Sequence, residues 1–268
     1  MTDIFLKSAL VIWIYATVWF GVSIVKQRND VADIAWGPGY ILVCLACLFF
    51  GESSPRLFLL CALILIWGIR LAAHIYVRNQ KKKEDSRYLK WRREWRRFFY
   101  IRSYLQVFAL QGFFLLLIVC PAVIVSAFPQ PALGVWDLIG TGVWLVGFYF
   151  EAVGDFQLAR FAGDPANRGK ILKTGLWRYS RHPNYFGEVC LWWGIFLIAC
   201  ASPKGLYAIV SPLTITVLIL LVSGIPMLEK PYEGDPEYEA YKRATSAFFP
   251  RPPKKVQGDD WRDRSDVF

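Results

Sequence analysis

An all-α integral membrane bundle of about seven transmembrane helices is the fold this sequence predicts, and three observations carry the prediction. Of 268 residues, 55% are hydrophobic and 17% aromatic, above the average for soluble chains. Seven stretches approach the roughly 20 apolar residues that a membrane helix needs: 5–25, 31–50, 57–77, 104–127, 135–154, 184–201 and 206–227. The loops between them alternate in charge. Residues 78–103 hold eleven Lys and Arg against three acids, 155–183 hold six against two, the chain from 228 holds eight, and "KQRND" holds two. The intervening loops "GESSPR", "FPQPALGVWD" and "ASPKG" hold one, none and one. Because cytoplasmic loops carry the basic excess, this places the N-terminus outside and the C-terminus in the cytoplasm.

Each element has its own justification. The first stretch carries Lys7 near its start and lacks a small-residue cleavage site before "KQRND", so it reads as a retained helix and not a signal peptide. The second holds "DIAWGPGY", whose Asp33 is either a functional acid or the helix N-cap. The third ends in "HIYVR", with His74 and Tyr76. Beyond it, "RNQKKKEDSRYLKWRREWRRFFYIR" places Tyr88, Trp91, Trp95 and Phe99 at three- and four-residue spacing among cations, the pattern of a helix lying in the headgroup layer. The fifth stretch ends on Glu151 and Asp155, four apart and so on one face. The sixth starts at Pro183, which suits a first helical turn. Asn184 and Glu188, again four apart, share a face there, while its free amides with Arg178 and Arg181 offer an anion site. Residues 1–255 read as a single transmembrane domain, and 256–268 as a polar tail.

Several classes fall away on composition. The net charge of +10 is accounted for by one-sided loops and anionic lipid, so no nucleic acid partner is expected. Only two histidines exist, and the six cysteines lie in or beside the apolar runs, which argues for packing and against a metal centre. No G-x-G-x-x-G or Walker loop is present. What remains are ionisable groups at membrane depth, which usually face a cavity and mark function.

The stretch "GLWRYSRHPNYFGEVCLWWG" resembles the C-terminal signature of the steroid 5α-reductase superfamily, and "ALQGFF", "GDFQLARF" and "AYKRATSAFFP" extend the likeness over roughly 105–255. "DIAWGPGY" and "WGIRLAAHIYVRNQKKKEDSRY" resemble its bacterial branch, which implies a bacterial inner membrane. The resemblance implies a seven-helix bundle that binds NADPH from the cytoplasm. The enzyme would reduce a polarised C=C bond, an enone, in a lipophilic steroid-like or isoprenoid substrate entering from the bilayer. By the same resemblance Asn184 and Glu188 hold the nicotinamide end and ribose, Asp155 is the acid closing the fifth span, and Glu151 stands where the steroid enzymes carry another polar residue. Arg178, Arg181 and His182 would contact phosphate or ribose, Arg160 loosely matches an expected arginine, and Tyr185 joins the cofactor-binding set. For the group that polarises the substrate carbonyl, the candidates are Asp33, His74 and Tyr76.

A second resemblance competes. "R-H-P-x-Y-x-G" with a tail carrying Glu229, Tyr238 and Tyr241 is also similar to membrane methyltransferases that use S-adenosylmethionine on prenylated or lipid substrates. The "G-E" after "NYF" favours the reductases, and the single acid at 229 counts against the methyltransferases. A transporter or scaffold would call for inverted repeats or broken helices in matching halves.

Overall fold

The computed structural model describes residues 1–80 and 83–254, so the polar tail read at 256–268 lies outside the described residues. Among those described the chain is helical, with no strand. The helices are α1 Thr2–Lys26, α2 Val31–Phe50, α3 Pro55–Asn79, α4 Ser86–Trp95, α5 Phe99–Ser103, α6 Leu110–Ser126, α7 Val135–Gly163, α8 Pro183–Cys200, α9 Val210–Val217, α10 Ile225–Glu229 and α11 Pro236–Ala244. Five helical segments are long and apolar enough to cross a membrane: Thr2–Lys26, Val31–Phe50, Pro55–Asn79, Arg87–Ser126 and Gly205–Tyr232. The long helices α7 and α8 are outside that set, and they are the two that carry Glu151, Asp155, Asn184 and Glu188. Polar residues on a membrane-length helix lower its apolarity where they face protein instead of lipid.

Local rules explain the boundaries. Ser54 accepts a hydrogen bond from the Leu57 amide at 3.1 Å and Pro55 opens α3. Helix α1 stops at Gln27, which turns left-handed at φ 54° and returns its amide to the last turn. The stretch expected at 206–227 is not one α-helix. It runs as a 3-10 turn Gly205–Ile209, then α9, a π turn Leu218–Val222, and α10 after a break at Ser223 and Gly224. The span expected at 104–127 likewise opens with a π turn, Tyr104–Ala109.

The chain divides into two compact units. The first comprises Met1–Gly142 and Trp193–Thr214. In it α2 and α3 touch backbone to backbone at Gly37 and Gly68, where a methyl group on Gly37 would overlap the Gly68 peptide. Between membrane helices small residues permit this approach, since lipid removes the hydrophobic drive to associate. Tyr40 and Trp67 pack edge-to-face beside it, 5.3 Å between centroids, and Trp67 is fully buried in the core. Cys44, Cys47 and Cys61 are buried free thiols in the same core, as packing predicts. Buried Arg56 is the polar anchor of this unit. It forms a two-pronged pair with Asp137 at 2.8 and 2.9 Å and donates to Gln130 and to the carbonyls of Pro131 and Ala132.

The aromatic face of helix α4 packs on protein: Tyr88, Trp95 and Phe99 are buried in a cluster with Ala16, Val31, Ala32, Val107 and Phe108. Trp91 stacks on Trp95 at 5.2 Å.

The second unit comprises Val143–Trp192 and the chain from Ile215 on. Here α7 and α8 meet through glycine. A methyl group on Gly147 would strike Leu191, and one on Gly187 would strike the Glu151 and Gly147 backbone.

The Arg56–Asp137 pair generates a test. Arg56→Met should lower stability by about 3–5 kcal/mol, because it strands a buried carboxylate, whereas Arg56→Met with Asp137→Leu should recover much of the loss. Thermal unfolding of the detergent-solubilised protein measures both; equal losses in the single and double variants would contradict the assignment.

Candidate active site

The second unit gathers most of the residues singled out by sequence around the start of α8. Pro183 opens that helix as expected. Gly154 leaves room for it: a Cβ there would lie 3.1 Å from the Asn184 amide nitrogen. Asn184 Nδ2 thereby reaches Asp155 Oδ1 at 3.0 Å. Glu151, one turn earlier on α7, is buried with Asp155. The two helix pairs predicted to share a site thus do meet, through Asn184 and Asp155. Asn184 Oδ1 is buried with no hydrogen-bond partner, and so is Arg178 Nε. Buried polar atoms are ordinarily paired, so each of these orphans, the acceptor and the donor, is free to take a polar ligand.

Arg181 and His182 are engaged inside the chain. Arg181 donates through Nε and Nη2 to the two oxygens of Glu229 at 2.9 and 3.2 Å, and through Nη1 to the carbonyls of Thr245 and Lys242. His182 Nε2 lies 2.9 Å from Glu229 Oε1. These two side chains therefore fasten the C-terminal segment to the α8 start. Tyr241 adds a hydrogen bond from its hydroxyl to the Trp177 carbonyl, while Ser180 donates to Phe248 and the Trp177 indole to Gly154. Burial pushes the Tyr238 and Tyr241 phenols up, so both stay neutral donors. Tyr185 stacks on His182, Glu188 is half-buried, and Arg160 is exposed on α7.

The first unit holds the other candidates. Asp33 is not the cap of α2: the helix starts at Val31 with Asp30 in the cap position. Asp30 binds Arg28 at 2.9 and 2.7 Å. Asp33 instead accepts a hydrogen bond from the buried Tyr88 hydroxyl at 3.1 Å and has Arg87 at 3.8 Å. Arg87 also grips Asp85; burial alone would raise that carboxyl, but the guanidinium holds it below the usual range. Tyr88 escaped the sequence reading because its spacing assigned it to an aromatic stripe. Of the remaining candidates, His74 is half-buried on α3 and Tyr76 is 54% exposed on the outer face. Among the described residues no group of three or more His, Cys, Asp or Glu is placed to hold a metal ion.

A family model described as "Protein of unknown function (DUF1295)" matches residues 19–245, a span that contains every one of these side chains. An uncharacterized protein of Schizosaccharomyces pombe is 25% identical over 287 aligned residues, which cover 97% of this chain and 82% of that protein. No solved structure matches.

The α7–α8 contact can be tested within one helix pair. Gly187→Ala should cost about 1–3 kcal/mol by forcing the backbones apart. Gly142→Ala, where a Cβ meets nothing within 4 Å, should be neutral or stabilise by up to about 1 kcal/mol through helix propensity. Thermal unfolding compares them, and a neutral Gly187→Ala would contradict the close approach.

Proposed function

The chain belongs to the DUF1295 family, and we propose that it is an integral membrane reductase which uses NADPH to saturate a polarised C=C bond in a lipophilic, steroid-like or isoprenoid substrate. With this goes a topology of seven spans, α7 and α8 joining the five apolar segments, with the N-terminus outside and the cofactor reached from the cytoplasm of a bacterial inner membrane. The charge alternation of the loops supports that orientation.

The observation that carries the reading is the polar set at the α8 start. Asn184 Oδ1 offers an unused acceptor suited to a carboxamide N–H or a ribose hydroxyl, and Arg178 Nε an unused donor suited to a phosphate oxygen. A dinucleotide presents all three. Asp155 fixes the Asn184 amide by accepting from Nδ2, which leaves Oδ1 as the face turned to the ligand. Glu188, on the Asn184 face of α8, joins the set, and Arg181, His182 and Glu229 hold the segment that frames it. Bound there, reduced nicotinamide supplies a hydride. The chain's own contribution is a hydrogen-bond donor for the oxygen that gains charge.

A methyltransferase is the second reading, favoured by one observation: Glu229 pairs with both members of the "R-H" in "R-H-P-x-Y-x-G". S-adenosylmethionine would then replace the dinucleotide.

Thermal stability with NADPH, NADH, S-adenosylmethionine or no addition separates these readings. A ligand at a hundred times its dissociation constant contributes about 2.7 kcal/mol. NADPH should stabilise the wild type, and Asn184→Ala should lose that response while still folding, its unliganded midpoint lowered by the loss of the bond to Asp155. Stabilisation by S-adenosylmethionine alone moves the assignment to methyl transfer, and no response to any of the three rejects both.

A further inference from the structure

Helix α4 and its continuation sort their cations by face. Arg87 and Arg92 turn inward and have acidic partners: Arg87 reaches Asp85 and Asp33, and Arg92 reaches Glu84 at 3.3 Å while lying 4.2 Å over the Phe99 ring. Lys90, Arg93, Arg96, Arg97 and Arg102 are exposed, and the one exposed acid among residues 87–102 is Glu94, 3.7 Å from Lys90. With these cations stand three exposed apolar side chains, Phe98, Tyr100 and Ile101, and Arg97 lies 4.7 Å over the Phe98 ring. Arg96, at φ 43°, breaks α4 just before them. The strip runs without interruption into the apolar segment that ends at Ser126.

We propose that this strip is a docking surface for the anionic headgroups of the membrane's own phospholipids. The argument is charge complementarity together with depth. Four guanidinium groups without an acidic partner among the described residues, beside an apolar wedge at the foot of a membrane helix, match a layer of phosphates above acyl chains. Planar guanidinium forks bind phosphate oxygens in pairs, and the Phe98, Tyr100 and Ile101 side chains enter the boundary below them. A soluble phosphate would satisfy the cations but leave the wedge uncovered. The inner face of the same helix carries Tyr88 to Asp33 and Trp95 into the core, so headgroup binding on one face stabilises the packing on the other. This inference needs only that the protein is embedded in a bilayer and does not depend on the reaction it performs.

The test is the unfolding midpoint of the full-length protein in nanodiscs of phosphatidylcholine alone and of phosphatidylcholine with phosphatidylglycerol. The anionic discs should raise the midpoint by about 3 °C or more, and the gain should shrink in about 1 M salt, where the Debye length falls to about 3 Å. Arg93→Gln/Arg97→Gln/Arg102→Gln should abolish the gain. A matched triple in the C-terminal segment, Lys230→Gln/Arg243→Gln/Arg251→Gln, should keep it. Equal loss in both triples would assign the effect to net charge and overturn the strip. So would a gain that salt leaves unchanged, a measurement made on the wild type and therefore independent of whether the strip variant assembles. Stabilisation of the protein in phosphatidylcholine discs by added glycerol phosphate would replace the lipid with a free anion.

Discussion

The close backbone approach of α7 and α8 at Gly147, Gly154 and Gly187 is the contact on which the polar site of the second unit depends. An amide and two buried acids are costly to desolvate unless they meet one another or a ligand. Bringing Asn184 within 3.0 Å of Asp155 requires helices that nearly touch, and that in turn requires residues without side chains at the crossing. Glycine is a poor helix former, by about 1 kcal/mol relative to alanine. Its use at positions where a Cβ has no room is therefore a trade of local propensity for proximity. The same close approach recurs in the first unit at Gly37 and Gly68, where a Cβ on Gly68 would meet the Gly37 carbonyl and the Ile41 side chain.

The cluster of Arg181, His182 and Glu229 sits at the other end of this chain of dependence. Buried ion pairs contribute little net stability, because desolvation offsets most of the attraction. What this one does is fix geometry. Arg181 spends its guanidinium on both Glu229 oxygens and on two tail carbonyls, so the segment from 229 to 245 takes one position on the α8 start. Arg178, three residues earlier, has no such claim on its Nε. Two arginines that look equivalent in the sequence thus separate into a structural one and one with a donor to offer.

How much of this was legible in the sequence follows the range of each interaction. Helix positions were readable because they depend on runs of about 20 apolar residues, and α2, α7 and α8 begin within a residue of where the pattern puts them. The Asn184–Asp155 encounter was readable from two i,i+4 pairs on successive helices. Pairings across long separations were not. Glu229 lies 48 residues from Arg181 and Asp33 lies 55 from Tyr88, and no local pattern encodes either partner. Nor does periodicity say what covers a face. The stripe of Tyr88, Trp95 and Phe99 was correctly an apolar face, but protein and lipid are equally apolar neighbours, and only the packing of α1, α2 and the π turn shows which one it meets.

That ambiguity explains why the basic loop carries so many charges. A helix whose apolar face is satisfied by protein has only its polar face left for the membrane surface. On α4 that face holds cations in excess, while the acids it needs for internal pairing, Asp33, Asp30 and Glu84, come from neighbouring turns. Arg28 with Asp30, Arg92 with Glu84, and the Asn29 amide with Glu84 at 2.6 Å then bind the α1–α2 turn to the segment before α4. Asp33 is in turn satisfied from α4, by the Tyr88 hydroxyl that donates to it and by the Arg87 guanidinium at 3.8 Å. Charge count alone describes a positive loop; the structure divides it into cations paired with Asp33, Asp85 and Glu84 and cations left exposed.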